Sequence, residues 1–215
     1  MEATTGSDEN EILSDSTSYI AGNQSRCLNW GMSFAFRLGD PLLPGETIPE
    51  FEADGLVVDF GIKETVVSSN YSQDKPLFII FHPGIFSNGG EKYLNLLLNM
   101  TLDKEAKDKI DQFEFLLIST DSLDVISGAA HLKEVGLPKA VYISDKTGEV
   151  SAAFGVLDKK SHTAFSAIFL VDKNKVVQYC NICGLKNIPD LAHGGILEID
   201  GVMSLMDKAV LMENK

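Results

Sequence analysis

Cys180-Asn-Ile-Cys183 is the one close thiol pair in a chain of 215 residues that holds three cysteines in all. Its spacing is that of a dithiol redox motif, in which one thiolate attacks and the second thiol resolves the product. Such motifs work where a strand gives way to a helix, whereas the neighbours Val176, Val177, Tyr179 and Ile182 place Cys180 in a strand. Kept extended, residues 180 and 183 point to opposite faces with Cα atoms about 10 Å apart, beyond the ~7 Å reach of a disulfide. A turn at Asn181 would restore the pair. The stronger reading is structural: two small thiols, buried or half-buried. His162 and His193 could join them as zinc ligands, but the four lack the fixed spacing of a zinc site, and no metal is expected. Cys27, beside Arg26, reads as an exposed thiol with no pocket around it.

A second group of polar residues follows the apolar run Leu77–Phe81. His82 stands where that run ends and could serve as a base or a ligand, although a hydrogen-bonded, half-buried histidine is the favoured account. Beyond it, Pro83-Gly-Ile-Phe-Ser87-Asn88-Gly-Gly90 leads into a helical pattern. Two glycines before a helix leave its first N–H groups uncrowded, a geometry friendly to anions, but a relaxed turn explains them as well and is preferred. No Ser/His/Asp arrangement, phosphate loop or basic patch is visible.

The elements that must position these residues alternate in type. Leu56–Phe60 and Ile62–Val67 predict a hairpin, and Leu77–His82, without polar alternation, predicts a strand covered on both faces. Apolar residues at three- and four-residue spacing from Tyr93 to Ile110 predict an amphipathic helix over 91–112. Phe113–Ser119 is a second buried strand. Asp121 or Ser122 can cap a helix running to Gly136, where glycine ends it and Pro138 forbids its return. Ala140–Ser144 is a third strand, followed by a short helix over 149–154. Residues 164–172 and 175–182 form a hairpin across Lys173-Asn174, whose second arm would show Val176, Val177 and Tyr179 on a sheet edge. A last helix is expected over 195–212. Parallel strands joined by helices and closed by an antiparallel pair give an α/β fold with a mixed sheet.

Composition bounds the rest. With 44% hydrophobic residues the chain suits one well-buried domain, and 31 acidic against 18 basic residues give a formal charge of −13, which opposes nucleic acid and acidic membranes. Residues 1–33 are polar and patternless, so a disordered acidic tail is expected, with the domain occupying 34–215. No apolar stretch approaches membrane-spanning length. The first residues lack the basic and apolar features of a secretory signal, and with so few cysteines the cytoplasm is the expected compartment.

Four stretches together resemble the peroxiredoxin family: Leu38-Gly-Asp-Pro41 with Ile48-Pro-Glu-Phe51; Phe81 to Gly90; Ser119-Thr-Asp-Ser122 with Ser144-Asp-Lys-Thr-Gly-Glu-Val-Ser-Ala-Ala-Phe-Gly-Val-Leu157; and Phe169-Leu-Val-Asp172. The resemblance implies a thioredoxin-like fold of peroxiredoxin type, its mixed central sheet flanked by helices. It sets Pro83 at the family's loop proline, Ser87 at its threonine and Gly90 at its peroxidatic cysteine. Counting back from Asp172 sets Ser166 at its arginine, the group that polarises peroxide and holds the thiolate ionised. A hydroxyl has neither the charge nor the five-donor fork of a guanidinium. No cysteine follows Cys183, so the family's inter-subunit disulfide cycle is not expected. The expected function is therefore that of a catalytically inactive member acting through inherited interfaces, as a homodimer or with active peroxiredoxins, and without a cofactor. The alternative is a thiol peroxidase or oxidoreductase using Cys180 and Cys183.

Overall fold

The computed structural model describes residues 40–58, 62–71, 74–87, 95, 108–129, 140–183, 203, 206 and 207. All belong to one unit, Arg37–Lys215; the other, Met1–Phe36, lies outside the described residues, and with it the tail expected over 1–33 and Cys27.

Nine strands are described: β1 (Glu52–Val58), β2 (Ile62–Ser68), β3 (Leu77–Phe81), β4 (Glu114–Ser119), β5 (Ala140–Ser144), β6 (Leu157–Asp158), β7 (Thr163–Ala164), β8 (Ser166–Val171) and β9 (Val177–Cys183). Two short helices accompany them, α1 (Leu123–Gly128) and α2 (Glu149–Ala153). Seven strands form one sheet in the order β2-β1-β5-β4-β3-β8-β9, with β6 and β7 in a separate ribbon. β3, β4 and β5 run parallel, and the remaining pairs are antiparallel. The expected α/β fold with a mixed sheet is the one observed.

The sheet is inner because its sequence leaves no polar face. All five side chains of β3 are buried, and β4, β5 and β8 repeat the pattern with one half-buried residue each. Phe78, Ile80, Phe115, Leu117, Tyr142 and Ile168 pack on one side against Ile110, Ile126 and Met206. Ile79, Leu116, Val141 and Phe169 pack on the other against Val150 and Phe154. Phe154 meets Phe81 and Phe169 at ring separations of 5.0 and 5.3 Å, contacts worth ~0.5–1.5 kcal/mol each beyond the area they bury. Residues 95, 108–110, 203, 206 and 207 are helical, within the two longer helices expected from periodicity. Lys109 and Asp207 tie those segments together at 2.7 Å.

Side-chain caps fix the helices. Ser122, rather than Asp121, caps α1 by accepting from the Val125 N–H. The buried Asp145 carboxylate accepts from the N–H groups of Val150 (3.0 Å) and Ser151 (2.7 Å), starting α2.

Several boundaries differ from expectation. β1 begins at Glu52, where it already pairs with Ser68 of β2, four residues earlier than the apolar pattern indicates; Gly55, which breaks that pattern, stands where a Cβ would sit 2.7 Å from Val67 Cγ2. Thr163 and Ala164 pair with Asp158 and Leu157 in the unanticipated ribbon, so β8 starts at Ser166. β9 starts at Val177 because the Asp172 carboxylate gathers the N–H groups of Asn174 and Val176 and the Gln178 side chain, with Lys175 in the left-handed region at φ 65°. The expectation that Val176 and Val177 lie on an open edge is also corrected. A strap over 45–48 pairs with the start of β9 through Gly45 N–H to Val177 O and Val177 N–H to Glu46 O, both 2.8 Å, and Val177 is buried.

The chain before the strap passes across Gly155, where φ is 70° and a Cβ would collide with the Asp40 carbonyl and Pro41. Gly155→Ala is expected to lower stability by ~2 kcal/mol or more, since strain in that region alone costs ~1–3 kcal/mol. Gly128→Ala, at the end of α1 with open space around it, is expected to raise stability by ~0.5–1 kcal/mol. Urea denaturation of both variants checks the opposite signs.

Candidate functional site

The strand registers bring the predicted site residues to one end of the sheet. β3 and β4 are paired Phe81 with Ile118, and β3 and β8 are paired Phe81 with Ala167. The next position on each ladder sets His82 beside Ser119 on one side and Ser166 on the other. Ser119 pairs onward with Ser144, and Ser166 with Cys183. Ser144, Ser119, His82, Ser166 and Cys183 therefore occupy one row across five strands. Pro83 and Ser87 stand in the loop leaving it, while Gly90, with the glycine pair of the anion reading, lies outside the described residues.

Asp121 holds that loop down. Its Oδ2 accepts from the Ile85 N–H at 2.6 Å and from the Ser119 hydroxyl at 3.1 Å. The Ser144 hydroxyl donates to the Asp121 carbonyl at 2.7 Å, tying the end of β5 to the same residue. Gly84, at φ 148°, lies so close that a Cβ there would be 3.4 Å from the carboxylate. Its carbonyl accepts from both the N–H and the hydroxyl of Ser87, at 3.1 and 2.6 Å. The turn so formed buries Ile85 completely and leaves Phe86 62% exposed.

His82 is more deeply buried than the half-buried, hydrogen-bonded histidine expected. It is 2% exposed, and its Nδ1 has no hydrogen-bond partner among the described residues. The reason is strand parity: His82 continues the inward series of Phe78 and Ile80, and Ile85 shares their cluster. Burial pushes its pKa down to about 4, with the Gly84 backbone and the Asp121 carboxylate offsetting only part of the shift. The ring is thus neutral near pH 7 and a weak base. A second buried polar group, the Tyr142 hydroxyl, also lacks a partner among the described residues, and burial pushes its pKa up.

Of the thiol candidates, Cys183 ends the row and Cys180 lies further along the same strand. Cys180 is buried opposite Phe169, among the residues packed with Val177 and Phe169. β9 continues without a break to Cys183, so the two positions are three residues apart on an extended strand, a Cα separation of about 10 Å. His162 is in an exposed turn at φ 55°, and His193 lies outside the described residues. Among the described residues no group of three or more His, Cys, Asp or Glu is placed to hold a metal. None of their helices is long and apolar enough to cross a membrane.

Residues 44–180 match the model of the AhpC/TSA family. The chain belongs to that family, the peroxiredoxins. It is 30% identical over 164 residues to the chloroplastic 2-Cys peroxiredoxins of Spinacia oleracea and Arabidopsis thaliana, a match covering 71% of this chain and 58% of each relative. The match thus takes in little more than half the length of these curated relatives. Among solved structures, the AhpC of Enterococcus faecalis superposes with a TM-score of 0.63 at 20% identity, covering 80% of this chain and 95% of that one. The reduced 2-Cys peroxiredoxin of Plasmodium vivax superposes with a TM-score of 0.60 at 21% identity, covering 81% and 85%. These likenesses establish the peroxiredoxin-type thioredoxin fold.

Sequence reading gave Asp121 only a possible capping role, because its main partner, Ile85, is 36 residues away and donates through its backbone. Asp121→Ala leaves that N–H without its acceptor and is expected to cost ~1–3 kcal/mol. Asp121→Asn keeps a side-chain oxygen and is expected to retain at least half of that stability. Urea denaturation of the two variants measures the difference.

Proposed function

We propose that this peroxiredoxin is a catalytically inactive member that acts by binding, through its folded domain, to a second copy of itself or to active peroxiredoxins. The observation that carries the reading is Ser166, beside His82 in the row, at the position where the resemblance puts the peroxide-polarising arginine. The resemblance puts Gly90 at the position of the attacking cysteine. A serine supplies no positive charge to stabilise a thiolate or orient a peroxide, and His82, neutral and buried, does not replace it. What the loop does present is Phe86, an apolar side chain at its tip. The cytoplasm is the proposed compartment, and no cofactor is required.

A second reading assigns thiol chemistry to Cys180 and Cys183. Its support is the register that sets Cys183 opposite Ser166, at the same sheet end as His82. It requires Cys183 to act without a disulfide to Cys180 while β9 stays extended.

Peroxide kinetics separate the two. The protein is expected to consume hydrogen peroxide no faster than an ordinary free thiol. A rate orders of magnitude higher, lost in Cys183→Ser or Cys180→Ser, would establish the second reading instead. Gly90→Cys alone is expected to restore little activity, and Gly90→Cys with Ser166→Arg measurably more, because the helix N-terminus that the sequence predicts after position 90 would contribute only ~0.3–2 kcal/mol. Equal rates in the single and double variants would show that position 166 is not the arginine site. Association is checked by sedimentation of a chain lacking residues 1–33: a dimer at micromolar concentration is expected, and a monomer would leave only the hetero-partner.

A further inference from the structure

We propose that the loop over residues 83–87 is an acid-released flap, opened when His82 takes up a proton and Asp121 gives up its hold on Ile85. This goes beyond the binding role above and does not depend on it.

The flap has two mutually exclusive states. In the closed one, the Asp121 carboxylate accepts from the Ile85 N–H at 2.6 Å, and Ile85 and the imidazole of His82 are both buried. The ring's Nδ1 has no partner there among the described residues, so a proton added to the ring would be a buried charge that the Gly84 backbone and the Asp121 carboxylate compensate only in part. Among the described residues the charged group facing the ring is Asp121. Its neighbours in the row, Ser119 and Ser166, are neutral, as are all residues of the loop. Asp145, the next carboxylate along the strand ends, is engaged by the N–H groups of Val150 and Ser151. Lifting the loop hydrates the ring and frees the carboxylate to pair with an imidazolium instead of the Ile85 amide. Anchoring need not be lost, because the His82 N–H remains bonded to the Ile118 carbonyl at 3.0 Å. Gly84, at φ 148°, supplies a pivot one residue beyond Pro83.

The sign follows from linkage. The closed form holds the His82 pKa down to about 4, whereas a hydrated ring titrates near its ordinary 6.5. The open form therefore binds the proton first. Closure is fully favoured above about pH 6.5 and loses ground as the pH falls toward 4, where the effect saturates.

Amide hydrogen exchange of the full chain, followed by NMR between pH 7.5 and 4.5, tests this. After correction for intrinsic rates, protection of the Ile85 amide is expected to fall about tenfold per pH unit below 6.5, and to stay lower than that of Leu117 in β4 at every pH. His82→Phe is expected to abolish the slope at Ile85. A flat profile in the native chain, a slope surviving in His82→Phe, or exchange of Ile85 and Leu117 at equal protection would each overturn the proposal. Should His82→Phe not fold, the ring resonances of the native protein decide: His82 must titrate below 6.5, and a value at or above it refutes the flap.

Discussion

Five consecutive side chains with no access to water on either face govern this fold. Leu77 to Phe81 are each no more than 2% exposed. An extended segment can hide both faces only between neighbouring strands and beneath two covering layers. β4 and β8 supply the flanks, one parallel and one antiparallel. Helical residues around Ile110, Ile126 and Met206 supply one cover, and Val150 with Phe154 the other. Each side chain so buried contributes about 1.5–3 kcal/mol.

The same constraint makes the chemistry at the strand end unusual. A strand that stays buried to its last residue carries the following residue with it, so His82 enters the interior on the face of Phe78 and Ile80. An imidazole in that position is held neutral by desolvation, whatever its potential as a base. Asp121 then becomes the main electrostatic feature of the loop, and it is spent on backbone and hydroxyl donors rather than on a cation. The result is an ordered polar floor in which backbone and hydroxyl donors, rather than a cation, engage the carboxylate.

What the sequence made legible follows from where its signals were strong. Uninterrupted apolar runs located β3, β4 and β5 nearly to the residue, and Ser144 to Leu157 marked the turn and helix that follow. β1 was read short because Asp54 and Gly55 break its pattern, although Gly55 is there to let Val67 approach. The β6–β7 ribbon and the strap at 45–48 were missed because backbone groups make them, and such pairings have no periodicity. Ser166 was placed by counting from Asp172, and the register sets it next to the loop it was expected to serve. The part played by Asp121 was illegible for the opposite reason: its partner is any residue's N–H at the right place, so Ile85 gives no sign of it.

The antiparallel insertion of β8 beside β3 has a consequence for how such a site can change. It sets Ser166 next to His82 although 84 positions separate them in the chain, and the ladder that does so is made of main-chain bonds. That main-chain ladder sets positions 82, 119, 144 and 166 in one row whatever side chains they carry, and the next row in, at Phe81, Ile118, Ile143 and Ala167, belongs to the packed core. The character of this end of the sheet is therefore written in two distant stretches of sequence, which main-chain pairing alone brings side by side.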